Sequence, residues 1–416
     1  MPLAVHILSL SVFALGTSEF MLTGLLQPIS RDLDVTIPQA GLLVSAFAVG
    51  MVVGAPVLAA ATLRLPRRTT LVALLAVFGL GQVAGALAPT YSLLFATRVV
   101  SALACAGFWA VGAAVAISLV PTSARARAMG IMVGGLSVAN IVGVPAGAYL
   151  GQHAGWRSAF WAVAVMAAIG VVGVLLCVPH TRPATGADRP RLKREVGIYT
   201  DGQVWLAVAT IALQAAATFA LFAYLAPLLT DVSGLEEGWI PTVLALFGVG
   251  ALVGTTVGGR IADGRLFPTM LLGTGATALV LALLALLAHS PVAAVGLSML
   301  LGLTAFTCAP ALNARMFEVA GAAPTLAGAT ATSSFNIGNT AGPWLGGQVI
   351  DAGWGYPAVA WTAAAVAALA TGVVLWARAL HHRDRGGPGS TVVAGVSPQR
   401  EPTPTPGRGK VSDHPG

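Results

Sequence analysis

Leu3-Ala4-Val5-His6-Ile7-Leu8-Ser9-Leu10-Ser11-Val12-Phe13-Ala14-Leu15-Gly16-Thr17-Ser18-Glu19-Phe20-Met21-Leu22-Thr23-Gly24-Leu25-Leu26 is a mainly apolar run. It is long enough to cross a bilayer as a helix, which takes about 20 such residues. Inside it stands Glu19, the only acid within any long apolar run of the chain. A carboxylate at that depth costs about 3 kcal/mol or more unless it is protonated, paired or facing water. Either Glu19 is merely neutralised in a polar pocket, or it binds protons in a transport path. The run lacks a basic leader and continues into a Pro-containing loop, so it does not read as a cleaved signal peptide.

Working outward, the 416 residues are 56% hydrophobic and 9% charged, with a mean hydropathy of +0.83. A soluble core cannot hide that much apolar surface, so the expected solvent is lipid. Twelve apolar runs are expected as membrane helices: 3–26, 41–63, 70–88, 92–119, 128–151 and 158–177, then 203–229, 239–259, 267–288, 291–314, 325–350 and 357–378. The corresponding domains are a first six-helix bundle (1–178), a basic linker (179–202), a second six-helix bundle (203–380) and a disordered, Pro-, Gly- and Arg-rich tail (381–416). Of the 22 Lys and Arg, 19 fall in the connections after even-numbered helices or in the tail. Arg31 and Arg157 lie on the other side, and Arg98 lies in a span. The positive-inside rule then places both termini in the cytoplasm of a multi-pass plasma (inner) membrane protein. The same asymmetry explains a pI near 9.9 without nucleic acid. Cys105, Cys177 and Cys308 sit far apart in apolar runs and read as packing residues, with no metal site and no disulfide framework.

The chain repeats itself. Phe47-Ala48-Val49-Gly50-Met51-Val52-Val53-Gly54 returns as Phe247-Gly248-Val249-Gly250-Ala251-Leu252-Val253-Gly254, and the spacing Gly143, Gly147, Gly151 returns as Gly338, Gly342, Gly346. With six helices per half, the repeat is parallel. Glycine at every fourth position gives a helix a flat face for close packing, and Pro145 and Pro343 should bend the two helices that carry it. The expectation is that these kinked stripes form the seam across which the halves rock.

The stretch Gly338-Asn339-Thr340-Ala341-Gly342-Pro343-Trp344-Leu345-Gly346-Gly347 resembles the antiporter motif of the major facilitator superfamily. Gly143-Val144-Pro145-Ala146-Gly147 resembles a looser copy. Gly259-Arg260-Ile261-Ala262-Asp263 is similar to the superfamily's helix 8–9 loop motif. Its first-half partner keeps Arg67 and Arg68 but has Ala59 and Leu63 where Gly and Asp are usual. Arg98 stands where the family carries a helix 4 arginine. The resemblance covers about residues 1–380 and is nearest to actinobacterial chloramphenicol exporters, through stretches such as Gly16 to Leu22 and Ser45 to Pro56. It implies an all-α fold of twelve helices in two pseudo-symmetric six-helix bundles, in which helices 1, 4, 7 and 10 line a central cavity. It also implies a proton-driven drug antiporter without cofactor, working as a monomer in the lipid bilayer, whose partners are protons and a small-molecule drug.

Within that frame Glu19 is the expected proton-coupling group. Glu19 and Arg98 each lie some six to eight residues from the outer end of their helix, roughly 10 Å deep, so Arg98 is its expected charge partner. Trp109 follows Arg98 on the same helix face. Trp109, Asn140, Gln214, Phe219, Phe222, Tyr224 and Asn313 are the expected cavity lining, a mixed apolar and polar set suited to an aromatic drug. Export of sugars or other metabolites is the alternative. The chain has no complete phosphate-binding loop, and no H-E-x-x-H or G-x-S-x-G that a membrane enzyme would need.

Overall fold

A computed structural model describes residues 2–62, 65–121, 124–179, 196–262, 265–321 and 324–386. All regular structure among them is helical, as lipid demands of a chain that must satisfy its own backbone hydrogen bonds. Helix α1 is Leu3–Phe20, followed by a 3-10 turn (Met21–Gly24) and a short α2 (Leu26–Asp32). Then come α3 (Ile37–Thr62), α4 (Arg67–Ala86), α5 (Tyr91–Ser118), α6 (Arg125–Val138), α7 (Val144–Ala154) and α8 (Trp156–Cys177). The second half of the sequence forms α9 (Gly202–Ala223), α10 (Ile240–Ala262), α11 (Leu266–Leu286), α12 (Pro291–Thr307), α13 (Ala309–Ala320), α14 (Pro324–Asp351) and α15 (Gly355–Gly386). Among the described residues, 11 helical stretches are long and apolar enough to cross a membrane. The run expected at 325–350 is present as α14 but is not one of them.

The breaks have local causes. Thr90 caps α5 by accepting from the Leu93 amide at 3.4 Å. Ser290 does the same for α12 ahead of Pro291, the first-turn position where proline's missing N–H is harmless. Gly155, at φ 80°, makes the tight link between α7 and α8 that other residues resist. The run 128–151 divides at a π-helical turn, Ala139–Gly143, just before Pro145. The run 291–314 divides at Cys308, before Pro310. Helix α15 continues to Gly386, so residues 381–386, expected in the tail, are helical. Basic residues near a helix C-terminus suit its dipole, and Gly386-Gly387-Pro388 supplies the stop signal. Residues 387–416, and the linker residues Arg182, Arg189, Arg191, Lys193 and Arg194, lie outside the described residues.

By internal contacts, residues 1–377 form one compact unit and 378–416 another. Inside the first, the two sequence halves pack alike. Gly50 and Gly54 of α3 sit against Ala102 and Ala106 of α5, and Gly250 and Gly254 of α10 sit against Met299 and Leu303 of α12. A face of exposed Val, Leu and Trp surrounds this packing, Leu176, Val292 and Trp376 among them. Such a surface is what lipid would cover.

Candidate functional site

The end of α1 is buried on all sides. Ser18 and Glu19 are enclosed between α5, α6 and the Ala139–Gly143 turn. Glycines make this closeness possible: a Cβ on Gly16 would meet Leu136 at 2.4 Å, and one on Gly143 would meet Thr17 Oγ1 at 2.0 Å. Into this space α5 sends Arg98, which is fully buried. Its Nη1 donates to Ser18 Oγ and its Nη2 to the Ser18 carbonyl, both at 2.9 Å. Phe47 of α3 covers the guanidinium, 4.4 Å from ring centroid to Arg98 Cζ, a cation–π geometry. Arg98 Nε has no partner. Glu19 and Arg98 are close enough for their charges to interact, and Cys105 lies two turns further along the same face of α5. They nevertheless form no ion pair, and Glu19 has no hydrogen-bonding partner among the described residues. The expected charge partner therefore sits at the expected level, but it is tied to the residue before the carboxylate.

Beside this pair runs a chain of aromatic rings. Phe20, next to Glu19, stacks on Phe219 of α9 at 5.4 Å. Phe219 meets Phe222 and Phe335 edge-on at 5.9 and 5.5 Å. Phe222 stacks on Phe247 at 4.2 Å, and Phe247 meets Phe306. Trp109 is half-buried against the same core. Other expected liners lie elsewhere. Gln214 donates to Thr277 of α11 at 3.1 Å, a bond inside the second half. Tyr224 donates to the Pro343 carbonyl at 2.8 Å and wedges against Gly41 and Gly346. Asn313 is exposed and bonds back to Ala309, and Asn140 bonds back to Leu136 within its turn. Composition alone could not separate these roles, because a polar residue in a span serves equally to join helices. Ser18, Phe20, Phe47, Phe247, Phe306 and Phe335 were missed as site residues. The signal for Phe47 and Phe247 was their place in the repeated octapeptide.

The glycine stripes correct an expectation. Gly143, Gly147 and Gly151 face Thr17 of α1, Met21 of the 3-10 turn and Leu25 after it, while Gly338, Gly342 and Gly346 face Ala212, Ala216 and Ala220 of α9, the last with Tyr224. Facing residues are equally far apart along the chain in both halves, so each stripe is a packing face within its own half. The second stripe lies against backbone atoms of Ala212 and Ala216, and the first against the side chains of Thr17, Met21 and Leu25. The same helices meet the opposite half by other faces. Ser45 Oγ of α3 donates to the Thr340 carbonyl of α14 at 2.9 Å, and the Asn140 carbonyl lies against Gly248 of α10.

Further contacts between the halves gather at the α2 end of the molecule. Gln27 Nε2 donates to Thr230 and Asp231 at 2.9 and 3.1 Å. Arg31 pairs with Glu237 at 3.3 Å, and Gln152 donates to the Glu237 carbonyl at 2.6 Å. Nearby, Asp32 accepts from Arg157 and from Trp156 Nε1. The Arg157 guanidinium, by hydrogen bond first, holds the Asp32 carboxyl below its ordinary range. Of the loop motif, Arg67 donates to the Ala114 carbonyl and Arg68 to that of Leu175. Gly259 lies near Pro310, Arg260 is exposed, and Asp263 falls outside the described residues.

A bundle of apolar helices enclosing a buried carboxylate and a buried arginine defines a membrane carrier. The pattern of the Major Facilitator Superfamily matches residues 8–335, and the chain belongs to that superfamily of transporters, not to an enzyme family. A chloramphenicol resistance protein of Streptomyces lividans is 41% identical over 373 residues, 89% of this chain and 95% of that protein. Inner membrane transport protein YdhP of Escherichia coli (strain K12) is 37% identical over 363 residues, 87% and 92% of the two chains. The solved structure of a bacterial homolog to the human lysosomal transporter Spinster, inward-facing and occupied, has a TM-score of 0.75 at 18% identity. It covers 92% of this chain and 98% of that one, and is a likeness of fold.

Proposed function

We propose that this protein exports a small amphipathic drug, chloramphenicol foremost, in exchange for protons by alternating access. The observation that carries the reading is Glu19, a buried carboxylate without a bonding partner beside a restrained arginine. Such a group is costly in a span unless it is protonated, paired or facing water, and a carboxyl that can be protonated there is suited to carrying a proton. The adjoining rings of Phe219, Phe222 and Phe247 suit an aromatic solute, and the similarity to a chloramphenicol resistance protein supports that choice.

In this reading α14 is the eleventh of twelve crossings, α15 is the twelfth, and the halves are two six-helix bundles related by a parallel repeat. The basic connections put both termini in the cytoplasm of the plasma membrane, so the α2 end faces outward. The unit is a monomer that needs protons, drug and bilayer, and no cofactor. The test is chloramphenicol accumulation in energised cells with and without a proton uncoupler. Cells making the protein should accumulate less, and the uncoupler should erase the difference. Glu19→Gln should abolish uphill export while the protein remains in the membrane. Continued uphill export by that variant would assign the proton to another group.

A further inference from the structure

An arginine and a glutamate buried in the same layer of a low-dielectric span would ordinarily collapse onto one another, since each offsets the other's lost hydration. Here they do not, and Ser18, next in sequence to Glu19, takes up the cation instead. It occupies both ends of the guanidinium fork, with its hydroxyl on Nη1 and its carbonyl on Nη2. Phe47 closes one face of the same group. We propose that Ser18 is a positioning residue that holds Arg98 off Glu19, keeping the carboxylate open to proton exchange while the cation stays near enough to influence it.

The inference rests on the proton-coupling reading of Glu19. The arrangement matters because a carboxylate and a guanidinium match bidentately; with Nη1 and Nη2 turned to Ser18 that edge is taken, and the Nε–H, which has no partner, is not directed at Glu19. The titratable groups interacting with Glu19 are Arg98 and Cys105, both from α5, whereas α3, α6, α7 and α8 contribute none among the described residues. Cys105 carries no charge as a thiol. The Ser18 tether, with Phe47 on one face, therefore fixes where the charge that Glu19 meets is held. Without the hydroxyl, Nη1 loses its acceptor, and the next residue of α1 offers a carboxylate without a hydrogen-bonding partner. An ion pair formed there would favour the charged form of the carboxylate and resist its protonation.

The test follows the carboxyl group itself rather than any solute. Full-length protein in liposomes is titrated while the infrared stretch of protonated carboxyl groups is recorded, with Glu19→Gln identifying the Glu19 band by difference. Relative to the natural protein, Ser18→Ala should move the midpoint of that band by about one pH unit or more to the acidic side. Ser18→Thr, which keeps the hydroxyl, should restore it. Should Ser18→Ala fold poorly, Ser18→Cys, with a weak acceptor of similar size, should show the same direction of shift. A natural midpoint in Ser18→Ala or Ser18→Cys would overturn the positioning role and leave the proton-coupling reading untouched. If no band disappears in Glu19→Gln, then Glu19 does not titrate and both ideas fall together.

Discussion

A buried arginine is defined by what fills its donors. Arg98 spends two of them on Ser18 and lays its face on Phe47. Lysine at this place keeps the charge but offers a compact ammonium that cannot span both Ser18 acceptors or stack as a plane. Arg98→Ala removes the charge and leaves Ser18 unpaired, at about 1–3 kcal/mol for the unmet group. We expect Arg98→Lys to retain partial export and Arg98→Ala to lose it, read as uncoupler-sensitive chloramphenicol efflux at matched protein level. Equal, full export by both would show that Arg98 is only a packing residue. That Arg98 meets the Ser18–Glu19 stretch fits the count of residues to the helix ends. The orientation of the guanidinium was not legible in the sequence, because a choice between a serine and a glutamate one position apart depends on side-chain geometry.

Among the elements, the two glycine-striped helices behave differently despite their shared spacing. A Cβ on Gly342 would stand 2.5 Å from the Ala216 carbonyl oxygen, which is backbone and cannot move aside. A Cβ on Gly147 would stand 3.0 Å from Met21 Cβ, with the rest of that side chain 3.9 Å away, a tight but milder contact. Overpacking of the first kind costs about 1–3 kcal/mol, so Gly342→Ala should lower the thermal unfolding midpoint in detergent clearly more than Gly147→Ala. Equal midpoints would mean that α9 and α14 separate more easily than their close approach indicates. The stripes were plain in the sequence, as were their proline partners. Which neighbour they face was not, since a four-residue spacing specifies a face of a helix and says nothing about the helix opposite.

Across the whole molecule, the halves are pinned at the α2 end by Gln27, Arg31 and Gln152 on one side and by Asp231 and Glu237 on the other. Arg31 and Glu237 are well exposed, at 70% and 55% of their side-chain surface, so the pair itself contributes roughly 0.2–1 kcal/mol. Charge reversal replaces that attraction with repulsion and should favour opening at this end. Arg31→Glu should therefore raise the reactivity of a cysteine placed at Ala226 toward an impermeant thiol reagent by a few-fold, since about 1.4 kcal/mol is tenfold in population. Pairing it with Glu237→Arg should restore the original rate. An unchanged rate in the single variant would show that the apolar contacts below, not the latch, hold this end shut.

The sequence by itself determined that the chain is a bundle of membrane-crossing helices, repeated once, with one carboxylate and one arginine at equal depth. Those properties follow from the run of apolar residues and from the rise of a helix, which are local and one-dimensional. Only the tertiary structure decided that Arg98 holds Ser18 instead of Glu19, that Phe20 joins the rings of the second half, and that the glycine faces turn inward to α1 and α9. Each of those is a competition between neighbours distant in sequence, settled by which side chains fit the space and satisfy their polar atoms in the absence of water.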